Sequence, residues 1–173
     1  CAVVVIGRTA GEDQDNTAQE GSYFLTRTER DMLSTVCSAF SRTIVLLNVG
    51  NIIDMQWVEQ LCPTAVVYLW QGGEMGAYAA ADILTGRVNP SGKLSDTIAR
   101  RIEDYPAVDN YGDAQRTEYC EDIYIGYRYF ETFAPEKVLY PFGFGLSYST
   151  FSIQILQLDV KDDMISVQTA VTN

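Results

Sequence analysis

The sequence contains no histidine. A Ser-His-Asp or Cys-His relay therefore cannot be assembled from this chain, and any chemistry must run on carboxylates, tyrosine, lysine or arginine. Cysteine is sparse: Cys1, Cys37, Cys62 and Cys120 are far apart and form no CxxC pair. Without histidine or clustered thiolates, a zinc site would need scattered cysteines and carboxylates, so neither a metal nor a cofactor is expected. The spacing predicts small buried thiols, and it favours a reducing, cytoplasmic setting. No apolar run approaches the roughly 20 residues of a membrane helix. The chain opens on a strand-like run with no basic segment ahead of it, so no signal peptide is expected. Positive charge is scarce as well: 12 Lys and Arg face 23 Asp and Glu, a net charge of −11. An acidic surface repels phosphate backbones and anionic lipid, so neither nucleic acid nor a membrane is expected as a partner.

What is present is a layered pattern. Ala2-Val3-Val4-Val5-Ile6-Gly7 is a continuous apolar, β-branched run, as in a buried parallel strand. Residues 8–23 are polar, acidic and Gly-containing, and read as a long loop. Thr26 and Glu29 form a capping box ahead of Met32, Leu33, Val36 and Phe40, which predicts a helix with one buried face. Residues 43–49 read as a second strand. Asp54 is placed to cap a short helix carrying Trp57, Val58 and Leu61, and 65–69 read as a third strand. An Ala-rich helix is predicted over 74–84, with Gly86 as its C-cap. Repeated strand–helix–strand order predicts an α/β layered sandwich with a mostly parallel sheet over residues 1–150. Residues 100–145 are rich in Tyr and Phe and read as ordered connecting structure packed on that body. From Phe151 the apolar residues alternate through Ile153, Ile155, Leu158 and Val160, and again after a turn at 161–163. Residues 151–173 are thus expected to be the first strands of an antiparallel β domain. A lone hairpin is marginal, so the chain is expected to stop partway through an element.

Three stretches are candidates for chemistry. The loop after the first strand carries Gly11-Glu12-Asp13-Gln14-Asp15, where α/β domains meet their ligands. On spacing alone such a loop is more often solvated surface. Trp70-Gln71-Gly72-Gly73-Glu74-Met75-Gly76 permits a tight turn into a helix. It is neither GxGxxG nor a P-loop, and Glu74 there is also ordinary helix-dipole chemistry. Tyr140-Pro141-Phe142-Gly143-Phe144-Gly145-Leu146-Ser147-Tyr148 is an aromatic turn that reads first as packing and second as the lining of a sugar cleft.

Taken in order, these stretches, the run Asp82-Ile83-Leu84-Thr85-Gly86-Arg87-Val88-Asn89-Pro90-Ser91-Gly92-Lys93-Leu94 and Tyr124-Ile125-Gly126-Tyr127-Arg128-Tyr129-Phe130 resemble one family. It is glycoside hydrolase family 3, of β-glucosidase type, in its C-terminal α/β-sandwich domain. The resemblance covers residues 1 to about 150, and the tail from Phe151 resembles the start of a fibronectin-III-like domain. It implies a retaining hydrolase of β-glucosides or oligosaccharides, whose nucleophilic Asp sits on a TIM-type barrel outside this chain. It also implies that Glu12, in Ala10-Gly11-Glu12-Asp13, is the catalytic acid/base. Ala10 and Asp13 depart from the family's usual Ser-Gly-Glu-Gly, and Asp15 and Glu20 share the loop as competing carboxylates. The isolated fragment is expected to be inactive, and a homo-oligomer stays open. A non-catalytic carbohydrate-binding or scaffold member of the family is the alternative. A flavodoxin-like nucleotide binder is disfavoured by the missing phosphate loop and the acidic charge.

Overall fold

The computed structural model describes residues 1–9, 15–112, 115–116 and 118–173. Strands β1 (Ala2–Gly7), β2 (Thr43–Asn48) and β3 (Ala65–Tyr68) form a parallel sheet in the order β1-β2-β3. Ala2 pairs with Thr43 and Gly7 with Asn48, so the carboxyl ends of β1 and β2 lie side by side. Helices α1 (Arg27–Ala39) and α2 (Gln56–Leu61) connect these strands. One core joins sheet and helices through Ile6, Leu25, Leu33, Leu47, Val49 and Trp57, all fully buried. Each such side chain contributes roughly 1.5–3 kcal/mol relative to exposure.

The capping box forms as the sequence predicts. The Glu29 amide donates to Thr26 Oγ1 at 3.2 Å, and the Thr26 amide donates to Glu29 Oε2 at 2.8 Å. The buried face of α1 is narrower than expected, because Leu33 is in the core while Met32 and Phe40 are exposed. Phe40 is the residue that ends the helix, in extended backbone, so it no longer follows the helical face. β1 is likewise buried on one face only. Val4 and Ile6 point into the core, whereas Val3 and Val5 are 50% and 57% exposed. α2 starts one residue later than predicted: Met55 is its N-cap, and Asp54 caps from outside by accepting the Gln56 amide at 3.1 Å. The cysteines correct a further expectation. Cys1, Cys62 and Cys120 are exposed free thiols and Cys37 is half-buried, because each falls at an element end or a solvent face.

Helix α3 (Gly76–Leu84) begins two residues inside the predicted span, after a turn through Gly73. Gly72 explains the start, since a Cβ there would lie 2.7 Å from Gly76 Cα. The helix ends on Thr85, and Gly86 follows it in the left-handed region that glycine tolerates.

The run after α3 locks onto the later aromatic turn. Asn89 Oδ1 accepts from Ser147 Oγ at 3.0 Å and from the Tyr148 amide at 2.9 Å. Leu94 and Phe144 join through a backbone bond of 2.8 Å, and the Tyr148 hydroxyl donates to the Ile83 carbonyl at 3.1 Å. These two motifs therefore stabilise one another. Within the aromatic region the structure adds a strand pair that the sequence reading left as connection. β4 (Ile98–Ala99) runs antiparallel to β5 (Val138–Tyr140), and the short helix α4 (Tyr127–Phe133) buries Phe130 against Ala99 and Ala134.

β6 (Ser152–Lys161) and β7 (Met164–Thr172) form an antiparallel hairpin. Asp162 supplies its turn at φ 51°, and the pairing is offset between Ile155 and Gln157. Apolar side chains on both faces of the ribbon are exposed.

Candidate active site

A cavity of about 90 Å³ opens at the carboxyl edge of the sheet. Arg8 and Thr9 reach it from the end of β1, while Val49, Asn51 and Ile53 reach it from the segment after β2. Asp15, Asn16, Gly21 and Ser22 close it from the stretch that leads into α1. Parallel sheets present ligand sites here because the strand ends leave room for variable loops. Residues 10–14 lie outside the described residues, and Glu12 is among them. Both described flanks of that segment, Thr9 and Asp15, line the cavity.

Each flank is fastened. The Arg8 amide extends the parallel ladder by donating to the Asn48 carbonyl at 3.1 Å. Its guanidinium forks onto Glu29: Nη1 donates to Oε1 and Nη2 donates to Oε2 at 2.6 Å. The pair is largely sheltered, at 12% and 19% side-chain exposure. Partial burial works to raise the Glu29 pKa, but hydrogen bonds from Arg8 and Thr26 together outweigh it. The carboxyl is held below the usual glutamate range, and the pair is charged at neutral pH.

On the other flank, Asn16 Nδ2 donates to the Ile52 carbonyl at 2.5 Å. The Thr17 amide donates to Ser22 Oγ at 2.9 Å. The Asp15 carboxylate works to raise the pKa of the exposed Tyr111 hydroxyl. Glu20 accepts the Arg27 amide at 3.2 Å and so helps start α1. Glu20, which competes with Glu12 in the sequence, therefore already has a partner.

The other sequence candidates fall elsewhere. Glu74 is exposed on the turn ahead of α3 and is distinct from the cavity's lining. The Gly143-Phe144-Gly145 turn packs against Gly92 and Lys93 and is structural. Among the described residues no three His, Cys, Asp or Glu side chains converge as a metal ligand set. No helix there is long and apolar enough to cross a membrane. Sequence reasoning found Glu29 as a capping residue and missed its pairing with Arg8. The only advance signal was a lone arginine at the end of a strand that otherwise reads as apolar.

Comparison with known proteins agrees with this fold. Residues 1–148 match the sequence model of the Glycosyl hydrolase family 3 C-terminal domain. A β-glucosidase of Ruminococcus albus is 52% identical over 152 residues, 88% of this chain and 16% of that protein. A crystal structure of a β-glucosidase from Paenibacillus barengoltzii superposes with a TM-score of 0.93 at 52% identity. It covers 99% of this chain and 19% of that one. β-Glucosidase 3B from Thermotoga neapolitana, solved in complex with glucose, gives a TM-score of 0.87 at 37% identity. It covers 98% of this chain and 24% of that one. The chain thus spans a quarter or less of the length of these relatives.

Proposed function

The chain belongs to glycosyl hydrolase family 3 through its C-terminal domain, and on that premise we propose that it supplies the acid/base half of a retaining β-glucosidase site. The full-length protein hydrolyses β-glucosides or related β-linked sugars. Glu12 is the proton shuttle, and the nucleophilic Asp stands on a barrel domain outside this chain. One observation carries the reading: Glu12 sits in a segment whose two flanks line a cavity at the sheet's carboxyl edge, within a family match that spans 1–148. The engagement of Glu20 with the Arg27 amide supports Glu12 over that neighbour.

In a double displacement, the barrel Asp attacks the anomeric carbon as protonated Glu12 gives its proton to the departing glycosidic oxygen. A covalent glycosyl-enzyme results. Glu12, now ionised, takes a proton from water, whose oxygen attacks the same carbon and releases the sugar with retained configuration. A nearby nucleophile carboxylate raises the Glu12 pKa for the first step, and its neutralisation on glycosylation lowers it for the second. The domain boundary falls near residue 150, with 151–173 opening a fibronectin-III-like domain. The end of the family match at 148 and the separate β6–β7 hairpin support this.

The test is Glu12→Gln in the full-length protein. Hydrolysis of alkyl β-glucosides should fall roughly 10²–10⁴-fold. Azide, which needs no general base, should restore turnover of activated aryl glucosides and yield the β-glucosyl azide. Unchanged hydrolysis of the alkyl glucosides would overturn the assignment. Sugar binding without any hydrolysis by the unmutated protein would point to the non-catalytic reading.

A further inference from the structure

We infer that Trp70 sets leaving-group specificity by stacking on the sugar that departs, an inference that rests on the hydrolase reading of this chain. Trp70 occupies the left-handed region of the backbone at φ 55°. A bulky side chain is a genuine outlier there, because its Cβ crowds the following carbonyl oxygen. The turn that follows does not require it. Gly73 supplies a left-handed step at φ 61°, and Gly72 lets the chain close on Gly76, so the entry to α3 is made with glycine. Backbone strain of this kind persists only where the surrounding structure holds it, and it gathers at ligand clamps.

The place of Trp70 in the fold supports a ligand. The Leu69 amide extends the β2–β3 ladder by donating to the Leu47 carbonyl at 2.8 Å, so Trp70 stands just past the sheet's carboxyl edge. Arg8 extends the β1–β2 ladder at that same edge. Adjacent strands lie about 4.8 Å apart, which separates the ends of β1 and β3 by about 10 Å. The Trp70 ring is half-buried and leans on Tyr68, with centroids 4.4 Å apart at an angle of 42°. Tyr68 is fixed in turn through its hydroxyl to Asn51 and Ile53, both of which line the cavity. The indole is thereby braced next to the cavity wall with part of its surface open. A β-linked glucose presents an apolar face of axial C–H groups, whose slight positive charge suits the negative face of an aromatic ring. In a double displacement the nucleophile and the leaving group lie on opposite sides of the anomeric carbon. The nucleophile stands outside this chain, so the sugar that this chain meets is the leaving one.

The experiment uses the full-length protein and two substrates, a β-linked glucose disaccharide whose leaving group is a second ring and methyl β-glucoside whose leaving group is methanol. Asparagine suits the left-handed region and has no ring face. Trp70→Asn should lower kcat/KM on the disaccharide roughly 10–100-fold, the equivalent of one buried apolar side chain. Methyl β-glucoside should keep its wild-type value. Transfer of the glucosyl group to glucose should fall relative to hydrolysis, because an acceptor docks where the leaving sugar departs. Trp70→Phe, with a smaller aromatic face, should fall between wild type and Trp70→Asn. Val45→Ala, a core truncation, sets the control: its melting point drops while the ratio of the two substrates stays at the wild-type value. If Trp70→Asn fails to fold, Trp70→Phe carries the same comparison, with a smaller loss confined to the disaccharide. Equal loss on both substrates, or undiminished cleavage of the disaccharide, would overturn the inference while Glu12→Gln still lost hydrolysis of both. Unchanged hydrolysis in Glu12→Gln would overturn the acid/base reading, and this inference with it.

Discussion

The Tyr68 hydroxyl donates to the Asn51 carbonyl at 2.7 Å, tying the end of β3 to the segment that follows β2. The same hydroxyl accepts the Ile53 amide at 3.2 Å. Burial raises its pKa, so it remains a neutral donor throughout the ordinary pH range. One side chain thus satisfies two backbone groups beside the cavity. Tyr68→Phe removes both bonds and should cost about 1–3 kcal/mol, the penalty for leaving sheltered backbone groups unpaired. Amide exchange at Ile53 in the full-length protein checks this, and an unchanged rate would show that water replaces the hydroxyl without loss.

The capping box predicts a second, smaller effect. Thr26→Ala deletes the acceptor of the Glu29 amide and one donor to the Glu29 carboxylate. Loss of a Thr cap costs about 1 kcal/mol. The first-turn amides of α1 should exchange roughly fivefold faster while those around Leu33 hold their protection.

The Arg8–Glu29 pair predicts an acid limb of stability. The folded pKa of Glu29 is depressed, so its contribution is present above the unfolded value of about 4.3 and is lost as pH falls through the folded value. Asp54 and Asp96 act in the opposite sense, because burial raises both and their ionisation weakens the fold as pH rises. Glu29→Gln should therefore lower the melting point at pH 7 and converge on the wild type at acid pH. A difference that stayed constant with pH would show that the glutamate acts through shape alone.

Close backbone approach predicts a fourth effect. A Cβ on Gly145 would fall inside the van der Waals contact distance of the Gly92 carbonyl oxygen and 2.9 Å from Lys93 Cδ. Lys93 Nζ also donates to the Gly145 carbonyl. Gly145→Ala should cost about 1–3 kcal/mol through overpacking and loosen the clip between Asn89 and Tyr148. Gly92→Ala, which meets nothing within 4 Å, is the matched control and should be close to neutral in melting temperature.

Much of the fold is legible in the sequence because its signals are local. The β-branched run at Val3-Val4-Val5-Ile6, the capping box four positions wide at Thr26 and Glu29, and the glycines at the ends of α3 each act within a turn or two of chain. The absence of histidine excluded imidazole chemistry from this chain without reference to any fold. Element ends were less legible. Asp54 and Met55 compete for the start of α2, and a cap one residue to either side leaves nearly the same sequence signature.

What tertiary structure decided is every relation whose partners are distant along the chain. Arg8 and Glu29 are 21 residues apart, and Lys93 and Gly145 are 52. No periodicity relates such positions. They meet only because β1 and β2 pair in one register and the helices pack on one face of the resulting sheet. The same packing chose which face of β1 is buried and left Val3 and Val5 outside it. Sequence determined that the loop after β1 carries carboxylates, Glu12 among them. The pairing of strands, which a linear pattern does not encode, decided that its flanking residues are anchored at the edge of a cavity.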